Sequence, residues 1–480
     1  MPEANRNYVD GEWSIAETGE TIDVMNPAQP DDLVAQYQES SRADANEAVD
    51  AAASATAEWA GTPGTERGAI LRDAAGWLED HKDELTDRLV GEEGKTPAEA
   101  APEVQRAIDI FYYYAEKAFD FGGTVKDGGG PTRRISTRKE PVGVVGLVTP
   151  WNYPVAIPAW KLAPAIATGN TAVIKPASLA PGPAHAIVTA LDEAGIPDGV
   201  VNLVTGPGSE VGDVFTTHSA IDAVSFTGSS ATGQHVYDAA TNDGKRIQTE
   251  MGGKNPTVVS RSADLETAAD IVASGAFGVT GQACTATSRA IVHEDQYEAF
   301  VDAVVERAEA IDIGPGLDGA DMGPQVSPGE LESTLEYIDI AHDEGATLET
   351  GGGQPDIDDG YFVEPTVFAG VDSEMTIAQE EVFGPVLAVI PVSDYDEAVE
   401  VANGVEFGLV ASIVTDDHTE ASRFADDVEA GVVKINEKTT GLELHVPFGG
   451  LKNSSSNTYR EQGDAGLEFY TTTKTVYDNY

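Results

Sequence analysis

A chain of 480 residues with 82 acidic and 28 basic side chains carries a formal net charge of −54, a surface that repels nucleic acid and anionic membranes. Its one cysteine excludes an intrachain disulfide and a cysteine-cluster metal site, and its eight scattered histidines show no paired ligand spacing, so no metal is expected. The length points to two or three domains, and a 41% hydrophobic content is enough for sizeable cores.

The acids are spread from Glu3 to Asp478 rather than gathered in one block. In dilute buffer such a surface repels itself. At molar salt the Debye length falls to about 3 Å and the repulsion is screened. The expectation is a halophile's protein, stable in molar KCl or NaCl, in preference to a mesophilic protein with an acidic tail. The first residues, Met1 to Arg6, lack the basic-then-apolar pattern of a secretion signal. No uncharged apolar run reaches membrane-spanning length, and a soluble cytoplasmic protein is expected.

From about Ala43 to Phe119 the chain is alanine-rich with helical spacing, as in Ala69, Leu71, Ala74 and Leu78, then Leu85 and Leu89. Phe121 to Lys139, with Gly128-Gly129-Gly130 at its middle, reads as a projecting hairpin. Strands and helices then alternate. Strands are predicted at Val142–Val148, Thr171–Ile174, Val200–Val204 and Ala223–Phe226, with helices at Ala159–Ala167, Ala184–Ala194 and Ser209–Phe215. Short apolar strands separated by helices predict a parallel, doubly wound sheet, which binds ligands at the carboxyl ends of its strands. A second α/β cycle begins near Pro256–Val259. It continues through a helix at Leu265–Phe277 and strands near Ala290–Val292, Val386–Ile390, Ala411–Val414 and Val432–Ile435. The tail, Phe469 to Tyr477, reads as a closing strand whose open edge joins another subunit.

Several strand ends carry chemically suggestive residues. In Thr149-Pro150-Trp151-Asn152-Tyr153-Pro154, two prolines fix the backbone and hold an amide donor suited to an oxyanion, although an asparagine in a tight turn is the commoner use. Lys175 and Ser178 follow the next strand, where a lysine suits ribose hydroxyls or a phosphate. In Phe226-Thr227-Gly228-Ser229-Ser230-Ala231-Thr232-Gly233, Gly228 and Ser229 open a helix whose backbone N–H groups can seat a pyrophosphate. Glu250, ahead of Gly252-Gly253, is placed to act as a base for water, and Glu381 in Glu380-Glu381-Val382-Phe383-Gly384-Pro385 to hold a ribose. Surface carboxylates are common in so acidic a chain. Cys284, in Gly281-Gln282-Ala283-Cys284-Thr285, suggests a thiolate nucleophile. A lone thiol is more often an inert buried group, and only its surroundings decide.

In their order and spacing these segments, together with Pro447-Phe448-Gly449-Gly450, resemble the aldehyde dehydrogenase superfamily from about Tyr8 to the C-terminus. The resemblance implies an α/β fold with two doubly wound domains and a β arm. The Rossmann-like cofactor domain comprises 1–119 and 142–252, and the catalytic domain 253–455. The bridging and oligomerisation arm comprises 120–141 and 456–480, and its hairpin pairs with a neighbour's C-terminal strand in a homodimer or homotetramer. It implies that Cys284 attacks an aldehyde, that Asn152 and the Cys284 N–H hold the oxyanion, and that Glu250 activates water. It further implies that Glu461 relays a proton, and that Thr149, Pro150, Trp151, Lys175, Ser178, Gly228, Ser229, Gly233, Glu381 and Phe383 bind the cofactor.

Many NAD-preferring members carry glutamate where Ser178 stands. Glutamate repels a 2′-phosphate and serine beside Lys175 admits one, so NADP is the expected cofactor, with NAD possible. Within the superfamily the resemblance is nearest to members that oxidise 2-oxoglutarate semialdehyde (2,5-dioxopentanoate) in sugar-acid breakdown. Succinate semialdehyde enzymes usually carry arginine where Trp160 stands, so a substrate carboxylate needs another partner here. The alternatives are succinate semialdehyde or betaine aldehyde as substrate, release of the acyl group to CoA, and a non-catalytic binding protein on the same fold. Glu250 argues against CoA release, and the presence of Asn152, Glu250 and Cys284 argues against the last.

Overall fold

The computed structural model describes residues 4–479; the outermost residues of two predicted segments, 1–3 and 480, lie outside them. Two seven-stranded sheets organise the chain. In spatial order the first runs Arg246–Glu250, Ala223–Thr227, Val144–Val148, Thr171–Lys175, Val201–Leu203, Asn7–Val9, Glu12–Ser14. Its first five strands are parallel, and the two N-terminal ones add on antiparallel. The second sheet runs Thr347–Thr350, Thr366–Ala369, Val386–Val392, Thr287–His293, Asn255–Val259, Val410–Val414, Val432–Ile435, antiparallel only at its first pair. The central strands Thr171–Lys175, Asn255–Val259 and Val410–Val414 are buried at every position. That is why they are dominated by small and β-branched residues rather than alternating in polarity: helices cover both faces of a parallel sheet.

The helix Leu265–Phe277 begins where Asp264 accepts the Thr267 N–H and stops at Gly278. Ala156–Ala167 is wholly buried and apolar but for Lys161. The predicted helix near Ser209 instead opens as a wide turn, Gly208–Gly212, before Asp213–Thr217. No helix among the described residues is long and apolar enough to cross a membrane.

The arm corrects one expectation. Its hairpin, Val125–Asp127 and Arg133–Pro141, is present, but the C-terminal strand Thr471–Asn479 pairs with Arg133–Pro141 of the same chain, from Thr471↔Pro141 to Asn479↔Arg133. The cause is local. Phe469 ends a short helix, Gly463–Phe469, rather than starting the strand. That helix returns the chain to the base of the arm, where Val142 N–H donates to Tyr470 O.

Candidate active site

Parallel register gathers the strand-end motifs. Val148 lies opposite Lys175 and Phe226, and Thr227 opposite Glu250, so the loops after four adjacent strands emerge along one sheet edge. Two backbone bonds extend the alignment past the strands: Thr149 N–H to Lys175 O, and Gly228 N–H to Glu250 O, each 3.2 Å. Above that edge lies a cavity of about 240 Å³, bounded by Pro150, Trp151, Asn152, Gly228, Ser229, Cys284, Glu381 and Phe383. The thiol and six of the predicted cofactor residues, Pro150, Trp151, Gly228, Ser229, Glu381 and Phe383, thus face one space, while Thr149, Lys175, Ser178 and Gly233 lie outside its lining. Trp151 and Phe383 meet edge to face at 5.4 Å.

Along that edge the donors suit a dinucleotide. Ser229 is the N-cap of Ser230–Asn242, so the positive end of that helix points at the cavity. Lys175 is buried, with Nζ donating to Pro176 O (2.8 Å) and Gly206 O (3.3 Å). Burial without a carboxylate partner pulls its ammonium down to about 8. Ser178 Oγ donates to the same Gly206 carbonyl at 3.3 Å, and the buried Thr149 Oγ1 has no partner. Glu381 accepts the Gly253 N–H at 3.0 Å, and burial raises its carboxyl to about 7. A Cβ at Gly252 would fall 2.2 Å from Glu381 Oε2, so a larger residue there displaces that carboxylate. Gly233 serves packing: a Cβ would lie 2.4 Å from Met251 Sδ, beneath the helix.

Cys284 follows a strained turn in which Val279, Thr280 and Gly281 all have positive φ (53°, 54° and 68°). For a β-branched valine this is a true outlier, and such strain clusters at functional sites. The turn is over-determined. Val279 N–H donates to Glu99 Oε1 at 2.6 Å and Thr280 Oγ1 to Gly323 O at 3.1 Å, and Gly281 leaves no room for a Cβ against Gly384 O. Asn152 Nδ2 donates to Gln282 O at 2.9 Å, joining the amide loop to the thiol loop. Asn255 Nδ2 donates to Cys284 O at 2.8 Å and fixes that carbonyl.

The thiol's surroundings differ from the expected activating ones. Burial, then the charges of Glu381, Glu250 and Glu461, push the Cys284 thiol well up, so its proton must leave before sulfur attacks. Glu250 is buried, accepts the Gly450 N–H at 3.1 Å through Oε2, and leaves Oε1 unpartnered. Burial first, and Glu461 second, raise its carboxyl well above the usual range. Glu461 Oε1 pairs with Lys161 Nζ at 2.5 Å, and Lys161 reaches Ser225 Oγ at 2.6 Å. The predicted relay glutamate therefore acts on Glu250 through its charge, while its own bond is to Lys161.

A buried cluster invisible in the sequence braces the Asn152 loop. Lys95 Nζ donates to the Asn152 carbonyl and pairs with Glu103 Oε2 at 2.7 Å, with Glu93 at 3.6 Å. Glu103 Oε1 accepts the Val155 and Ala156 N–H groups at 2.9 and 3.1 Å, capping Ala156–Ala167. Lys95 also lies 4.3 Å from the centre of the Tyr153 ring. The spacing of Lys95 and Glu103 around a helix start resembles that of any solvated helix face, and only the motif they touch identifies them.

The aldehyde dehydrogenase family model matches residues 13–476. The chain is 65% identical to an alpha-ketoglutarate semialdehyde dehydrogenase of Haloferax volcanii, over all of both chains. It is 45% identical to a 2,5-dioxopentanoate dehydrogenase of Saccharolobus solfataricus, over 96% of this chain and 97% of that one. The structure superposes with TM-score 0.96 on a crystal structure of betaine aldehyde dehydrogenase from Staphylococcus aureus in complex with NAD+, at 37% identity, covering 99% and 95% of the chains.

Proposed function

The chain belongs to the aldehyde dehydrogenase family, and from that premise we propose that it oxidises 2,5-dioxopentanoate to 2-oxoglutarate. The observation that carries the chemistry is the single cavity shared by Cys284, Asn152 and the dinucleotide-type donors. The substrate follows from the likeness to the two semialdehyde dehydrogenases above.

In this reading the Cys284 proton passes to water and sulfur bonds to the aldehyde carbon. The oxyanion of the resulting thiohemiacetal is held by Asn152 Nδ2, released from Gln282 O, and by the Cys284 N–H. A bound nicotinamide dinucleotide supplies the hydride acceptor. Lys175, Ser178 and Glu381 hold its riboses or phosphate, Thr149, Pro150, Trp151 and Phe383 wall its path, and Gly228 and Ser229 seat its pyrophosphate. Loss of hydride leaves a thioester on Cys284. Glu250 then draws a proton from water, whose oxygen bonds to the acyl carbon as the C–S bond breaks, and Glu461 with Lys161 passes the proton on. Gly233 acts through helix packing. The test is a panel of 2,5-dioxopentanoate, succinate semialdehyde, betaine aldehyde and propanal in molar KCl. The first should give the highest kcat/KM, without stimulation by CoA. Preference for betaine aldehyde overturns the substrate.

NADP is the proposed preferred cofactor, because Ser178 and Lys175 present a hydroxyl and a desolvated ammonium on one carbonyl. Ser178→Glu should move the NADP/NAD ratio of kcat/KM at least tenfold toward NAD, about 1.4 kcal/mol. An unchanged ratio places the 2′-phosphate elsewhere.

The charge of −54 and the Haloferax relative support a salt-adapted cytoplasmic protein. The denaturation midpoint should rise steeply between 0.1 and 2 M KCl, on the order expected for screened surface repulsion. A flat response removes the halophile reading. The outer edge of Thr471–Asn479, with Tyr477 62% exposed, supports a homodimer or homotetramer. The strands of each large sheet fall inside one proposed domain, 1–119 with 142–252 or 253–455, and those of the arm inside 120–141 and 456–480.

A further inference from the structure

The proposed substrate carries a carboxylate at the end remote from the aldehyde, and Trp160 offers it no charge. Trp160 is nevertheless informative: its Nε1 is buried without a hydrogen-bond partner, and its ring lies 6.2 Å from that of Phe448. Phe448 belongs to a small apolar cluster against which Cys284 and Leu442 also pack. The Leu442 carbonyl accepts Nη1 of Arg106, on the helix Pro97–Lys117, and Arg106 Nη2 donates to Gln462 Oε1 at 2.8 Å. Gln462 is itself buried and its Nε2 has no partner. It follows Glu461, which pairs with Lys161, the neighbour of Trp160. Arg106, Gln462 and Trp160 therefore stand around the cluster that holds the thiol.

Arg106 is out of place in this chain. Among 82 acids, its half-buried guanidinium bonds a carbonyl and an amide, and its Nε carries no bond. Glu443 and Asp109 act on it through space without bonding to it. Arg67 and Arg289 are also held by carbonyls, but by Ala167, Thr62, Lys254, Val401 and Ala402 in other parts of the fold. A partly desolvated guanidinium with free donors is a ready partner for a planar carboxylate, which it can bind in bidentate fashion. Leu442 and Glu443 lie in a largely exposed loop, so Arg106 stands where that loop joins the thiol cluster to solvent.

We infer that Arg106 anchors the carboxylate of a 2-oxo acid semialdehyde, with Gln462 Nε2 and Trp160 Nε1 donating to its carboxylate and 2-oxo oxygens. This rests on the reading that the substrate carries a remote carboxylate. It makes Arg106 a specificity-determining residue.

The test compares Arg106→Met and Arg106→Lys on 2,5-dioxopentanoate and on propanal, which has no carboxylate. Arg106→Met should lower kcat/KM for the acid about 10- to 100-fold, as expected for a lost hydrogen bond to a charged group. It should leave propanal within about twofold, and Arg106→Lys should recover only part, since a point charge lacks the planar fork. Equal losses on both aldehydes, or none on the acid, overturn the inference. If Arg106→Met fails to fold, glutarate decides. Competition with propanal in the wild type, weakened in Arg106→Lys, supports the anchor, and its absence overturns it. A wild type that prefers propanal to 2,5-dioxopentanoate instead sinks the substrate reading, before any variant is made.

Discussion

Cys284→Ala is expected to lower kcat by about four orders of magnitude or more, because the variant loses the only atom that can hold the acyl group. Cofactor binding should survive, since Lys175 and Ser229 stand on the sheet edge, and Glu381 on the segment before Val386–Val392, independently of the thiol. The measurement is steady-state reduction of NADP or NAD beside a direct titration of cofactor affinity. Loss of both together would mean that the substitution had collapsed the strained turn at Val279 and Thr280 rather than removed a nucleophile. Cys284→Ser separates the two. It keeps the volume and the turn, yet should stay within about tenfold of the alanine variant, since a serine hydroxyl has no strong base at hand and is far less nucleophilic than a thiolate.

Glu250→Gln is expected to split the reaction. The amide keeps the shape and the bond to the Gly450 N–H is tolerant of it, but it cannot take a proton from water. Turnover should fall about 10²- to 10⁴-fold, with a residual burst of reduced cofactor approaching one equivalent per thiol. The pH profile follows from the same residue. Burial and Glu461 raise the Glu250 carboxyl, so kcat should climb as pH rises through that raised value. Glu461→Gln removes the repelling charge and leaves Lys161 nearby, which lowers the Glu250 carboxyl. The rising limb should therefore move to lower pH. Movement to higher pH would mean that Glu461 acts on Glu250 by something other than its charge.

What the sequence revealed, and what it hid, has a common physical basis. The strand-end motifs were legible because proline and glycine bound each of them, and parallel register then aligns residues that the sequence separates widely. Leu265–Phe277 was legible to its ends because Asp264 and Gly278 cap it. The helix Pro328–Asp343 carried the same kind of signal, a Ser327 cap accepting the Glu330 N–H with proline first in the helix, and received no assignment. The strands Asn7–Val9 and Glu12–Ser14 are too short to show a period, and only their place at the sheet edge defines them. A strand's exposed edge does not name its partner, which is why Thr471–Asn479 was assigned to a neighbouring subunit although its partner lies in the same chain.

Charges were the hardest to read. Eighty-two acids make any one of them look solvated, and Glu93, Lys95 and Glu103 are sealed inside only because the Asn152 loop folds over them. The raised thiol was likewise hidden, since it is buried by the fold and Glu381, Glu250 and Glu461 reach it from three distant segments.

The most direct measurement is the intact mass of Glu250→Gln protein quenched after mixing with 2,5-dioxopentanoate and NADP in molar KCl. The account predicts a single added acyl group, located to the peptide bearing Cys284 and removed by hydroxylamine. Unmodified protein accompanied by a full equivalent of NADPH would contradict it.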